Sequence, residues 1–305
     1  MSEEKAFLVV GGDSLVGKAL FLSLKMRGHK AYATTRKSET VSGERVYLDF
    51  EDQDAFSLPA GVDYAFIVAA ATDYGRCERD PMARVVNVEL IPRLTAFLLE
   101  RGVFVSFIST NSLFGGEAPW PDEDAPHAPG IPYARQKSEG EQAIRAAADR
   151  MAAGERLSIV RLTKILNHDT PPLPSWLASW QRGETVTPFS DLIFAPMSVR
   201  FVSEALALLG EKRIPGPLHL SGADNVNYVD MASRLSASLG VAPELVAATT
   251  ATEKAVEIPF KPRFSGLGMQ RTTSLSGIAP QTLEQVVADL CDQFGALRQG
   301  TLSPF

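Results

Sequence analysis

A chain of 305 residues, 45% of them hydrophobic, is long enough to bury a large core and to form one large domain with a smaller lobe. Its formal net charge of -6 argues against nucleic acid or an anionic membrane as the main partner. Two cysteines are too few for a disulfide framework, and the four histidines lack metal-ligand spacing, so we expect no metal site. We see neither a signal-peptide pattern nor a membrane-spanning stretch, and we expect a cytoplasmic protein.

The first predicted element is a short apolar strand that leads directly into a glycine-rich turn and a helix. Residues 6–10 are AFLVV, residues 11–17 are GGDSLVG, and a helical pattern continues to Met26. Glycine lets a backbone approach a phosphate, and the first turn of the following helix favours an anion. The segment is typical of the start of a dinucleotide-binding domain, although Ser14 replaces the middle glycine of the G-x-x-G-x-x-G register. An ordinary strand-to-helix loop is the alternative.

The second predicted strand covers residues 30–35, and two cations follow it. An acidic residue at this place accepts the ribose hydroxyls of NAD, whereas an arginine accommodates the extra phosphate of NADP. The strand ends at Thr35, and Arg36 and Lys37 come next. The sequence therefore favours NADP over NAD. Solvated loop charges are the alternative.

Strand and helix patterns alternate through the first half of the chain. Further strands are predicted at residues 45–48, 63–69, 103–109 and 157–162, and helices at about 81–101 and 133–153. This alternation predicts a parallel sheet with helices on both faces, which is a doubly wound α/β fold of the Rossmann type. Ligands of such sheets bind beyond the carboxyl ends of the strands.

Tyr133 and Lys137 are four residues apart, just after Pro132, which suits the first turn of a helix. Both side chains should therefore lie on one helix face. A lysine ammonium one turn away favours the phenolate, so we expect the pKa of Tyr133 to fall below its ordinary value of ~10 and the phenol to become a usable acid or base. An ordinary surface pair is the alternative until the other motifs are considered.

Five segments follow the order and spacing of one known family. They are the glycine turn, residues 69–81 (AAATDYGRCERDP), residues 86–88 (VNV), residues 107–116 (FISTNSLFGG) and the Tyr133/Lys137 pair. The chain resembles the extended short-chain dehydrogenases/reductases and is most similar to the dTDP-4-dehydrorhamnose reductase group. Two positions depart from that pattern, with Ser14 in place of a glycine and Asn111 in place of an aspartate.

The resemblance implies a role for each matching residue. Tyr133 would be the catalytic acid/base, Lys137 would bind the nicotinamide ribose, and Thr110 would hydrogen-bond the substrate oxygen; a hydroxyl that only caps a strand end is the alternative for Thr110. Asn87 would brace the sheet. The expected cofactor-binding residues are Gly11, Asp13, Ser14, Leu15, Val16, Gly17, Thr35, Arg36, Lys37, Asp49, Ala69, Ala70, Ala71, Asn87, Tyr133 and Lys137.

A substrate-binding lobe is predicted after the Rossmann domain. We expect the domain over residues 1–165 and the lobe mainly over 166–305, with segments near 199–222 returning to the domain. Thr72, Asn111 and Arg263 are the expected substrate-binding residues, and Arg263 could pair with a diphosphate unless it is a plain surface arginine. Trp176 and Trp180 have helical spacing, which favours core positions over stacking on a ligand.

The resemblance implies an NADP(H)-dependent oxidoreductase that reduces a keto group of a nucleotide-linked sugar, with Tyr133 as the proton donor. NAD is the less favoured cofactor, and a homodimer is possible. An epimerase or dehydratase on the same scaffold is the first alternative. The second is a non-catalytic NADP-binding regulatory subunit, but the presence of Thr110, Tyr133 and Lys137 together favours catalysis.

Overall fold

The computed structural model describes residues 6–50, 52 and 56–298, and its strands follow the apolar runs of the sequence. The strands are β1 (Ala6–Val10), β2 (Lys30–Thr35), β3 (Arg45–Tyr47), β4 (Val62–Ile67), β5 (Phe104–Thr110), β6 (Leu157–Leu162), β7 (Lys164–Leu166), β8 (Ile193–Phe194), β9 (Pro196–Ser198), β10 (Gly216–Leu220) and β11 (Val226–Asn227).

The helices fill the intervals between most of these strands. They are α1 (Leu15–Met26), α2 (Tyr74–Arg79), α3 (Pro81–Val85), α4 (Ile91–Glu100), α5 (Pro132–Arg150), α6 (Leu173–Gln181), α7 (Val199–Lys212), α8 (Tyr228–Ser238), α9 (Gln270–Ser276) and α10 (Leu283–Arg298). In the part of the chain that is described, no helix has the length and apolar character needed to cross a membrane.

Seven strands form one parallel sheet in the order β10-β6-β5-β4-β1-β2-β3. The chain moves outward from β1 in one direction and then returns to build the other half from β4, so the order reverses between β1 and β4. This is the Rossmann arrangement, in which a ligand lies beyond the carboxyl ends of the strands at the reversal. The predicted fold class is confirmed.

The main sheet is buried on both faces. Neighbouring side chains of a strand point to opposite faces, and Phe7 and Val9 accordingly belong to one apolar cluster while Leu8 and Val10 belong to the other. All five residues of β1 are buried. A strand covered by helices on both sides is expected to be a continuous apolar run, which is why AFLVV is recognisable in the sequence.

A third apolar cluster lies outside the main sheet and contains Trp176 and Trp180. The two indole rings lie 6.1 Å apart, and both side chains are buried. The core interpretation of this helical pair is therefore confirmed. The segment that follows contributes β10 to the main sheet, where it pairs with β6. The division at residue 165 into two functional domains stays a prediction.

The helix predicted over residues 81–101 is interrupted. Between α3 and α4 the chain forms one turn of π-helix, Val86–Leu90, which contains Asn87. A π-turn adds a residue to the helical turn and often marks a functional site. The pattern of apolar residues did not predict it, and the buried contacts of the Asn87 side chain are described below.

Candidate active site

Two adjoining cavities lie at the carboxyl end of the main sheet. The larger, called the main cleft, has a volume of about 810 Å³, and the smaller, called the side cavity, has about 380 Å³. Both are lined by Ser14, Val68, Ala70 and Thr72, so they meet at the glycine turn. They occupy the place where the sheet order reverses.

Most of the predicted site residues line one or both cavities. In the side cavity these are Gly11, Asp13, Ser14, Thr35, Arg36, Asp49, Ala69, Ala70, Ala71 and Thr72. In the main cleft they are Ser14, Leu15, Val16, Ala70, Thr72, Thr110, Asn111, Tyr133 and Lys137. Gly17, Lys37, Asn87 and Arg263 line neither.

The glycine turn is packed too closely to admit side chains. A Cβ atom on Gly11, whose φ is 90°, would lie 2.9 Å from the Cβ of Ala69, and one on Gly17 would lie 2.2 Å from the Gly11 oxygen. Ser14 closes the turn, because its hydroxyl donates to the Gly11 oxygen at 2.8 Å and accepts from the Gly17 N–H at 3.0 Å. Serine at this position thus serves as the N-cap of α1.

At the end of β2 a carboxylate comes from the glycine turn instead of from the strand. The Thr35 hydroxyl donates to Asp13 at 2.8 Å, and Arg45 forms an ion pair with the same carboxylate. Burial acts to raise the pKa of Asp13, but the hydrogen bonds from Thr35 and Arg45 outweigh it and lower the pKa. Arg36 is exposed at the side cavity and has no hydrogen bond or ion pair with any residue in the described ranges.

Asn87 is buried and holds the wall of the side cavity. Its amide oxygen accepts from the Ala71 N–H at 3.0 Å, and its Nδ2 donates to the Ala71 oxygen and to Gln136 Oε1, both at 2.9 Å. Gln136 lies on α5. Asn87 therefore connects the segment after β4 to the helix that carries Tyr133, and it does so from behind the cavity.

Tyr133 and Lys137 project from the first turns of α5, whose first residue is Pro132. Tyr133 is 8% exposed and lines the main cleft together with Thr110. Lys137 is 2% exposed, and its Nζ donates to the Ile108 oxygen at 2.7 Å. These three predicted catalytic residues thus converge at the carboxyl end of β5, on one wall of the cleft.

The prediction that Lys137 lowers the pKa of the Tyr133 phenol is wrong for this arrangement. Burial raises the pKa of Tyr133 well above its usual range, against a smaller opposing effect of a hydrogen bond with Thr110. Burial also lowers the pKa of Lys137 to about 7. Desolvation disfavours the charged form of each group, so it keeps the phenol protonated and weakens the ammonium that was expected to acidify it.

Thr110 has the capping role, and this role is compatible with the predicted hydrogen bond to a substrate oxygen. Its oxygen caps the short 3₁₀ turn that follows β5 by accepting from the Ser112 N–H at 3.2 Å, and it also lies 3.1 Å from the Ser112 hydroxyl. A hydroxyl oxygen that accepts from one side can still donate its proton on another. Capping therefore orients Thr110 in the cleft and leaves a hydrogen-bond function open to it.

Asn111 lines the main cleft, but its amide is engaged in a long-range contact. Its Nδ2 donates to the backbone oxygen of Ser265 at 2.8 Å and to the Ser265 hydroxyl at 3.0 Å. Asn225 holds the same segment by accepting from the Ser265 N–H at 2.7 Å. The structure thus uses Asn111 to fasten residues 258–265 across the cleft, a role that the sequence did not indicate.

The cation of this segment that lines the cleft is Lys261, whereas the predicted Arg263 is exposed outside it and stacks on Phe264. Two further residues of the cleft were also missed, Lys164 and Tyr74. The ring of Tyr74 lies 5.4 Å from that of Tyr133. Lys261 and Arg263 are two positions apart, and the sequence offered no signal to decide which of them faces the cleft.

A buried ion pair fixes α5 to the sheet. Arg161 on β6 donates to Glu141 on α5 at 2.8 Å and 3.1 Å, and both side chains are almost fully buried. His127 and His219 contact the same guanidinium, and burial lowers the pKa of His219 to about 4. These two histidines are therefore structural, and they support the helix that presents Tyr133.

The fold is that of the extended short-chain dehydrogenases/reductases. The chain belongs to the family described as the RmlD substrate binding domain, which matches residues 5–296. The resemblance to the dTDP-4-dehydrorhamnose reductase group is thereby confirmed. No curated protein matches the sequence of the chain.

Solved structures share this fold over nearly the whole chain. A dTDP-4-dehydrorhamnose reductase from Bacillus anthracis in complex with NADP has a TM-score of 0.78 at 17% identity, over 96% of this chain and 99% of its own. MoeE5 in complex with UDP-glucose and NAD has a TM-score of 0.76 at 22% identity, with the same coverages. A UDP-N-acetylglucosamine 4-epimerase from Methanobrevibacter ruminantium has a TM-score of 0.77 at 16% identity, over 95% and 99%. The fold is thus shared by reductases and epimerases.

Proposed function

We propose that the protein is an NADP(H)-dependent oxidoreductase that reduces a keto group of a nucleotide-linked sugar. The observation that carries the proposal is the position of Tyr133. Its phenol is kept protonated by burial, lies beside Thr110, and faces a cleft that continues into a glycine turn. A protonated group beside a dinucleotide site is what the reduction of a carbonyl requires.

The glycine turn fits a dinucleotide. The packing around Gly11 and Gly17 leaves no room for a Cβ atom, so the backbone itself forms the surface of the turn. The N–H groups of Leu15 and Val16 belong to the first turn of α1, where a helix favours an anion. A pyrophosphate can therefore approach main-chain donors directly, and the two cavities extend from this point in two directions.

The residues of the chain would handle the proton while a bound NADPH supplied the hydride. Tyr133 would donate its proton to the substrate oxygen as negative charge develops there, and the Thr110 hydroxyl would hydrogen-bond the same oxygen. Loss of that proton leaves a buried phenolate. A protonated Lys137 one helical turn away would then stabilise the phenolate, and its pKa of about 7 lets it take up or release a proton near neutral pH.

NADP is proposed over NAD because of the charges beside the end of β2. Both oxygens of Asp13 are already engaged, one by Thr35 and the other by Arg45. The carboxylate is therefore a poor acceptor for ribose hydroxyls, and its charge is largely neutralised. Arg36 lines the same cavity without a partner among the described residues, and a guanidinium is well suited to a phosphate.

A sugar nucleotide is proposed as the substrate because of the size of the main cleft and the activities of the similar proteins. A cleft of about 810 Å³ lies in the upper part of the range for sites that take small molecules. Among the proteins of the same fold, one is described in complex with UDP-glucose and another is named a dTDP-4-dehydrorhamnose reductase. Neither the base nor the sugar is part of this proposal.

The test is consumption of NADPH with a panel of 4-keto nucleotide sugars, followed by the nicotinamide absorbance. Tyr133→Phe should lower turnover by about 10²–10⁴-fold, as expected for the loss of a general acid, while NADPH affinity measured by fluorescence changes little. Tyr32→Phe, which removes a phenol from β2 far from β5, serves as the control. Undiminished turnover in Tyr133→Phe would refute the assignment, and sugar interconversion without net NADPH consumption would indicate an epimerase instead.

A further inference from the structure

The main cleft carries positive charge in a protein that is acidic as a whole. The formal net charge of the chain is -6, yet the ionisable side chains that line this cleft are three lysines, one aspartate and two tyrosines beside Tyr133. The aspartate is Asp73, and its carboxylate is used to cap α2 by accepting from the Arg76 N–H. A cleft with this balance of charge attracts an anionic ligand.

The three lysines differ in their partners. Lys137 donates to the Ile108 oxygen, and Lys261 forms an ion pair with Asp191 at 2.5 Å. The ammonium of Lys164 makes no hydrogen bond or ion pair with any part of the chain that the structure describes, since only the backbone of this residue is engaged, in the pairing of β7 with β9. Lys164 is therefore the lysine of the cleft whose ammonium is available to a ligand.

The position of Lys164 in the fold places it at the reacting end of the cleft. In the pairing of β5 with β6, Thr110 lies beside Leu162, and Lys164 begins β7 two residues further on. Two residues of extended chain advance by roughly 6–7 Å. Lys164 thus lies just beyond the strand end next to Thr110, whereas Lys261 belongs to the segment that crosses the cleft.

The surroundings of Lys164 favour an anionic partner. The residue is exposed, and it is one of the residues that line the cleft. Desolvation by the cleft walls lowers the pKa of Lys164, and no carboxylate offsets this effect. A cation in such a place is stabilised when a ligand brings the opposite charge.

We propose that Lys164 recognises a carboxylate on the sugar of the substrate, so that the enzyme acts on an acidic nucleotide sugar. The inference rests on the proposed function, because it assumes that a nucleotide-linked sugar occupies the main cleft with its reacting carbon near Tyr133. The diphosphate of the substrate is the other anion that could meet an ammonium. The location of Lys164 beside the end of β5 favours the sugar.

The experiment measures binding by calorimetry to the NADPH-loaded protein. The probes are UDP, UDP-glucose and UDP-glucuronate, and the same three compounds with thymidine in place of uridine. The two sugars differ by a carboxylate in place of a hydroxymethyl group, and neither carries a keto group that NADPH could reduce. We expect the glucuronate to bind roughly tenfold or more tightly than the glucose compound.

Lys164→Met should remove this preference by weakening the binding of the glucuronate compounds alone. Lys164→Arg, which keeps a cation at this position, should retain most of the preference. Lys261→Met is the matched control from the same cleft, and it should change the affinities for the glucose and glucuronate compounds by the same factor. Equal affinities in the wild type would overturn the proposal, as would a loss of UDP or TDP affinity in Lys164→Met, which would assign Lys164 to the diphosphate. If no sugar nucleotide binds while NADPH does, the proposed function itself fails.

Discussion

The bracing role of Asn87 can be tested by removing its amide. Asn87→Ala deletes an acceptor for the Ala71 N–H and two donor contacts, to the Ala71 oxygen and to Gln136 Oε1. All of these groups are buried behind the side cavity. The variant therefore leaves the Ala71 N–H and Gln136 Oε1 without a partner among the described residues, and it leaves the Ala71 oxygen with the Cys77 thiol alone. It also loosens the segment that forms the cavity wall.

The expected loss of stability follows from the two unsatisfied atoms and from the weakened hydrogen bonding of the Ala71 oxygen. Leaving a buried donor or acceptor unsatisfied costs about 1–3 kcal/mol, and water that enters the space of the amide can recover part of the total. We therefore expect Asn87→Ala to lower the free energy of unfolding by about 3–5 kcal/mol. For a chain of this length that corresponds to a decrease in Tm of about 5–10 °C.

Thermal unfolding followed by circular dichroism gives the stability, and NADPH titration gives the effect on the wall. Thr95→Val is the matched control, because the buried Thr95 makes one hydrogen bond, within its own helix to the Ile91 oxygen. It should cost no more than about 1 kcal/mol. The reasoning fails if Asn87→Ala melts within about 2 °C of this control. It also fails if NADPH affinity stays unchanged once Ala71 has lost its anchor.

Three further variants test other parts of the site and the fold. Arg36→Ser should weaken NADPH binding by about 10–100-fold and leave NADH unchanged; equal losses would contradict the phosphate contact. Hydrogen bonds from Arg27 and His29 lower the pKa of Glu211 from 4.5 to about 2, so wild-type stability should decline as pH falls through this interval. In urea unfolding, Glu211→Gln should show a shallower decline than the wild type, because other carboxylates with a lowered pKa remain. Asn111→Ala should remove the contacts of its amide with Ser265, and it should raise KM for the sugar nucleotide by a larger factor than it raises the Kd of NADPH. A larger effect on NADPH binding than on KM for the sugar nucleotide would contradict the fastening role.

The main sheet could be predicted because burial on both faces forces its strands to be apolar. The bounds of β1, β2 and β6 agree with the prediction for this reason. The pairs β7/β9 and β8/β11 were missed, since strands of two or three residues depend on their neighbours more than on their own composition. The π-turn was also missed, and its Asn87 makes hydrogen bonds to Ala71 and Gln136, which are distant in the chain.

The site was predictable where its residues follow one another in the chain, and it was not where they meet across the fold. The glycine turn and the Tyr133/Lys137 pair are local patterns, so sequence spacing alone places them. Lys164 reaches the cleft through β7, and it belongs to no motif. The carboxylate of Asp13 at the end of β2 is a similar case, because residue spacing could not show that the turn folds back onto Thr35.

The protonation of the Tyr133/Lys137 pair shows why a spacing argument gave the wrong direction for the pKa of Tyr133. A cation one turn away would acidify the phenol only if the cation kept its charge, but the same burial that excludes water from Tyr133 also desolvates Lys137. Burial therefore disfavours the charged form of each group before reaction. The attraction between ammonium and phenolate becomes effective once the phenol has given up its proton, so it would stabilise the state after proton transfer and not the state before it. A pair arranged in this way is suited to donating a proton to a carbonyl oxygen.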